Sequence, residues 1–332
     1  MNRSTSRGWL YRFRWLLPVA SFAAGAASFV LVERGAWLAQ WVTGILILSW
    51  ALLLAESPLR RLLQRHKGWD MPPVLLRYGT QALHQEALFF CIPFFIASTD
   101  WASAQAVFTG LLFALALVSI LDPIYFGIVG RHQWLLLAFH GFVIFTALLT
   151  ALPIVLHLTT AQSLLIAAGV MAVTAVPSLA WRLPLDGARA LAAALLIAPL
   201  LGVLAWSARS AIPPATLRVT HAYLTQDLDP VGRFGTPIER PLRDRELREG
   251  GIYTFTAIRA PRGLHEDVFH VWTHEGRTVD RIRLSIAGGR EDGYRSWSRK
   301  QAFEPRAAGR WEVLVETAGG QRLGRLVFRV LP

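Results

Sequence analysis

Residues 134–156 read WLLLAFHGFVIFTALLTALPIVL, and the only titratable side chain in that stretch is His140. About 20 mostly apolar residues, rising about 1.5 Å each, cross the roughly 30 Å hydrocarbon of a bilayer. Lipid cannot satisfy open backbone groups, so such a run is expected to be a helix. Comparable runs at 15–32, 36–55, 83–97, 104–121, 163–180 and 190–206 extend the pattern. The expectation is a bundle of about seven transmembrane helices over residues 1–208.

The composition divides at the same place. Residues 1–208 hold 13 Lys and Arg against 7 Asp and Glu, whereas residues 209–332 hold 21 against 15. Each part therefore carries a net charge of +6 within the total of +12. So basic a chain raises nucleic acid as a partner. In the first part, however, the cations lie in short segments beside apolar runs, where membrane orientation accounts for them. No nucleic-acid partner is expected, and the bilayer is.

With the N-terminus inside, the inner segments carry Arg3, Arg7, Arg12, Arg14, Arg60, Arg61, Arg65, Lys67, Arg77, Arg131, Arg182 and Arg189. The outer segments carry only Arg34, beside Glu33. This asymmetry predicts a cytoplasmic N-terminus and a C-terminal domain delivered to the periplasm by the last span. The first run could instead be a signal peptide, with small residues at Phe22–Ala27, but it is longer than the usual apolar core of one. Pro18, Pro93, Pro153, Pro177 and Pro199 recur within or near the runs, where each frees a carbonyl one turn back. The lone Cys91 allows no internal disulfide.

Residues 209–217 read as a linker with Pro213 and Pro214. Beyond it, short alternating segments near 218–226, 251–259, 267–274, 278–286, 293–300, 310–317 and 322–330 suggest an all-β, immunoglobulin-like sandwich over 218–332. Ile282, Leu284 and Ile286 share one face, as do Trp311, Val313 and Val315. The charged stretch 227–250 reads as a loop.

Two groups of residues are candidates for function. His84, Glu86, Asp122 and His140 lie toward the inner ends of the runs, and ionisable groups inside a membrane are costly enough to suggest a role. On a helix His84 and Glu86 are about 200° apart and cannot share one ligand. In the β domain, period two sets Phe269 and Val271 on one face and His270, Trp272 and His274 on the other. Pairing with the next strand is expected to add Arg281 and Arg283 to the His and Trp face. Forked guanidinium donors beside a stacking plane suit anionic sugars or phosphate. No metal, cofactor or nucleophile–base motif is present in the sequence, and no reaction is named by it.

Trp272-x-His274-x-Gly276, Arg295, Ser298-x-Lys300, Gly309-x-Trp311-x-Val313 and Phe328-x-Val330 together resemble a bacterial domain family of unknown function. His84-Gln85-Glu86, Leu88-Phe89-Phe90, Asp122-Pro123 and Leu156-His157-Leu158-Thr159 resemble an uncharacterised proteobacterial membrane family. These resemblances imply a membrane bundle with a terminal β domain in a Gram-negative inner membrane. They bring no activity, cofactor or catalytic residue. The expectation is an inner-membrane protein whose periplasmic β domain binds an envelope component or a protein partner. The alternative is a transporter or membrane-embedded enzyme using the inner polar residues.

Overall fold

The computed structural model describes residues 73–180, 184–227, 235–303 and 307–332. Its first part is helical, with α1 (Pro73–Ser98), α2 (Gln105–Ile120), α3 (Asp122–Val129), α4 (Gln133–Val155), α5 (Thr160–Ala180) and α6 (Gly187–Ser207). The core is filled by the apolar face of α1, including Leu88, Phe90 and Phe95, against α2 and α4. Helix α6 buries Ala190, Ala194 and Ala198. These sit four residues apart in one stripe, small enough for the backbone to lie close to α5; Gly202 faces the Ala168 carbonyl there.

The junction of α2 and α3 bends by 92°. Leu121 is extended (φ −85°, ψ 91°), and Asp122-Pro123 opens the next turn, where proline is tolerated. The break leaves the Ser119 carbonyl, in the last turn of α2, without a helical donor. Helix α1 supplies the missing donors, because the side-chain amides of Gln81 and Gln85 both donate to the Ser119 carbonyl. After one turn the chain widens into a π-helix at Tyr125–Val129.

The expectation of seven spans is corrected by these helices. Among the described residues, α4 and α6 alone are long and apolar enough to cross a membrane, and α2 with α3 makes a third if the bent pair is one span. The run at 83–97 belongs to a longer helix that carries Gln81, His84, Gln85 and Glu86 around its middle. The apolar part of α5 stops at Val176 and is shorter than a span. Counting apolar windows registers hydrophobicity but not where a helix breaks or turns polar. The runs at 15–32 and 36–55 lie outside the described residues.

The second part is a β domain of two sheets. Its elements are β1 (Arg218–Thr225), β2 (Leu242–Arg243), helix α7 (Asp244–Gly250), β3 (Ile252–Arg259), β4 (His265–His274), β5 (Arg277–Ala287), β6 (Tyr294–Lys300), β7 (Gly309–Thr317) and β8 (Arg322–Leu331). One sheet has the order β1-β3-β6, the other β2-β8-β7-β4-β5. Trp272, Trp311 and Phe328 fill the space between them. The immunoglobulin-like description does not carry over. Strand β2 runs parallel to β8, and the stretch expected to be loop contributes β2 and α7, anchored by buried Leu242 and Leu247.

The β domain is seated on one end of the helices. The ends of α1 and α4, the starts of α2 and α5, and the segment after α6 all meet it. The Gln105 amide donates to the Arg322 carbonyl at 2.8 Å. Gln321, in the β7–β8 turn, donates to the Ile212 carbonyl at 3.1 Å. The N-terminus of α5 is closed by Thr159 and Gln162, whose side chains reciprocally bond each other's backbone N–H.

Candidate functional site

The five residues expected on one β surface are divided between two faces. Register pairs Val271 with Arg281 and Phe269 with Arg283, but His270 with Ile282. His270 and Trp272 point inward and are fully buried, while Arg281 and Arg283 point outward. Arg281 lies 3.8 Å over the Phe269 ring, and Arg283 pairs with Asp267 at 2.6 Å. That hydrogen bond, with a second from Ser285, holds the Asp267 carboxyl below its ordinary range. His274 stacks on Trp311 with ring centroids 4.4 Å apart.

The inward face of β4 tolerates an imidazole because the opposite sheet is polar there. His270 bonds the Thr256 hydroxyl through Nε2 (3.0 Å) and the Ser298 hydroxyl through Nδ1 (2.8 Å). Burial pushes its pKa down to about 4, so it is held neutral. Hydroxyls on β3 and β6 make the histidine face of β4 the interior one, although Val271 on the other face is buried as well.

That inversion builds a basic, aromatic surface elsewhere. In β6, Ser296, Ser298 and Lys300 are buried, so Arg295, Trp297 and Arg299 face outward. Register places Tyr223, Phe255 and Trp297 in one row across β1, β3 and β6, and Tyr253 beside Arg299 in the next. Tyr223 and Phe255 rings are 4.9 Å apart, and the Trp297 ring is 50% exposed. The Arg299 guanidinium sits 4.8 Å over Tyr253. His221 and Arg295 flank Ala257 in a third row. The three strands of this sheet hold Arg218, Arg259, Arg295, Arg299 and Lys300 and not one Asp or Glu. The signal is present in the sequence as Arg295-x-Trp297-x-Arg299, three residues at period two.

The inner polar residues of the bundle are partly brought together. His84 Nε2 and His140 Nδ1 are 3.0 Å apart, and His84 Nδ1 is 2.8 Å from the Tyr125 hydroxyl. No sequence pattern singles out Tyr125, on the π-turn of α3; it is drawn in by the bend at Asp122-Pro123. Asp122 accepts from Gln81 at 2.9 Å, one turn before His84 on α1. Glu86 is half-buried, and no described contact joins it to the histidines. Among the described residues no group of three His, Cys, Asp or Glu is placed to hold a metal ion.

Residues 265–330 match the protein of unknown function model DUF2914, and residues 2–254 match the family of unknown function model DUF5924. The boundary between the two matches runs through the β domain, leaving β1 on one side and β6 of the same sheet on the other, with the first match ending inside β3 between them. No curated protein and no solved structure matches the chain. With most of its length covered by the first of these models, the chain belongs to the family of unknown function DUF5924.

Proposed function

We propose that this is an integral protein of the bacterial inner membrane whose periplasmic β domain binds an anionic glycan of the envelope through the outward face of the β1-β3-β6 sheet. The observation that carries the reading is the charge of that sheet: its strands hold no carboxylate, Lys300 is turned inward to Asp280, and Arg295 and Arg299 flank exposed Trp297 on the outward face. Exposed guanidinium groups offer forked donors to carboxylate or phosphate, and the Tyr253 and Trp297 rings offer apolar planes to sugar faces. The outer face of the other sheet is less suited, since Asp267, Glu312 and Glu316 intersperse its cations. Orientation follows from the Lys and Arg asymmetry, because the helix ends that carry the β domain are those with few cations.

The test is co-sedimentation of the full-length protein in detergent with purified peptidoglycan and lipopolysaccharide at increasing salt. Binding should weaken as salt rises. Arg295→Ala with Arg299→Ala should weaken it about tenfold, equivalent to about 1.4 kcal/mol. Arg281→Ala with Arg283→Ala should bind as the unmodified protein does. Equal losses in both pairs, or binding indifferent to salt, would remove the face as the site. Binding to an acidic peptide and to neither polymer would make the partner a protein.

A further inference from the structure

Between α2, α4, α5 and α6 lies a cleft of about 730 Å³. Its floor is α4, through Leu137, Gly141 and Phe145, and its walls include Val107 and Leu111 of α2 and Leu204 of α6. Val107 and Leu204 are 76% and 65% exposed, so the cleft is open along one side between those walls. The volume is that of a small-molecule site, within roughly 300–1,000 Å³. Of the two polar residues on α4 and α5 that line it, Thr174 donates its hydroxyl to the Met171 carbonyl. His140 remains.

The three-residue chain behind His140 decides what its cleft-facing edge offers. If the Tyr125 hydroxyl donates to His84 Nδ1, then His84 Nε2–H donates to His140 Nδ1, and His140 Nε2 carries a proton. If the chain runs the other way, His140 Nε2 is a bare acceptor. The two neutral arrangements share one set of heavy-atom positions. No described residue bonds His140 Nε2. Hydrocarbon alone would leave this polar edge unsatisfied at a cost. A hydroxyl satisfies both arrangements, since it donates and accepts.

We infer that this cleft binds a molecule with a long apolar chain and a neutral hydroxyl, the chain lying along α4 and the oxygen bonded to His140 Nε2. The lining excludes a hydrated or multiply charged ligand. Gly141 deepens the floor beside the imidazole: a methyl there would meet Met171 Cγ at 3.6 Å. This cleft is separate from the glycan-binding face, and neither depends on the other.

The experiment is photolabelling of the full-length protein in detergent with two probes, a diazirine-bearing long-chain alcohol and the same chain without its hydroxyl. The alcohol should label α4 peptides several-fold more than the alkane. His140→Leu should retain labelling and lose the preference. Ala138→Trp, and separately Leu111→Trp on the open wall, should abolish labelling by both probes, each variant being checked for helix content. Leu196→Trp, on an exposed face of α6 outside the cleft, should change neither. Equal labelling by the two probes, or labelling that survives both tryptophans, would overturn the site. So would label found on the chain's own residues 15–55 and absent from α4, since the cleft would then be filled from within.

Discussion

The backbone N–H of Thr160, at the start of α5, donates to the Glu266 carboxylate at 2.7 Å, joining residues 106 positions apart. The Thr160 hydroxyl donates to the other carboxylate oxygen at 3.2 Å. Glu266 opens β4, and its side chain is almost wholly buried against the helix end. An acceptor at a helix N-terminus meets orphan amides and the positive end of the helix dipole. With Gln105–Arg322 and Gln321–Ile212, this contact fixes the β domain on the bundle at three separate helix ends.

Burial raises the Glu266 carboxyl to about 7 from an ordinary 4.5, and the Thr160 donors offset the rise only in part. The seated carboxyl therefore holds its proton more tightly than a solvated one. Its contribution to seating is fully present below pH 4.5 and is lost as pH rises through about 7. Glu266→Gln preserves an acceptor for the Thr160 amide without a titrating proton. Thermal unfolding of both proteins should show them alike near pH 4.5. At pH 8 the wild type should be the less stable by about 2–3 kcal/mol, since each tenfold change in proton affinity is worth about 1.4 kcal/mol. A difference independent of pH would contradict this.

His270 gives the opposite dependence. Its pKa is depressed from an ordinary 6.5 to about 4, so the unfolded chain binds the proton first and stability falls as pH drops from 6.5 through 4. His270→Leu should lose that slope. It should also cost about 1–3 kcal/mol at neutral pH by leaving the Ser298 hydroxyl without the imidazole. Calorimetry of both proteins across that range checks the two effects together.

The alternation of β5, β7 and β8 was legible because one side of each strand is apolar and the other charged. The same rule misassigned β4, since its interior side carries His270 and the opposite sheet meets it with Thr256 and Ser298. An inward polar network leaves no apolar stripe to read. In the bundle, α4 was legible from its length and lack of charge. The bend after α2 was signalled only by Asp122-Pro123, and a window average passes over one proline. Tyr125 reaches His84 across 41 residues, and Glu266 reaches Thr160 across 106. No local pattern encodes either contact.

The bend gives a prediction of its own. Gln81→Leu with Gln85→Leu leaves the Ser119 carbonyl without its two donors, at about 1–3 kcal/mol for an unsatisfied buried group. Unfolding in denaturant measures both proteins. Unchanged stability in the double variant would mean that the carbonyl is not what the glutamines serve.

The most direct test of the glycan-binding face is arginine footprinting. The full-length protein is treated with phenylglyoxal with and without purified envelope polymer, and modified positions are read by mass spectrometry. Polymer should protect Arg295 and Arg299 and leave Arg281 exposed to modification. Protection of Arg281 with Arg295 and Arg299 still reactive would place binding on the opposite sheet and contradict the proposed face.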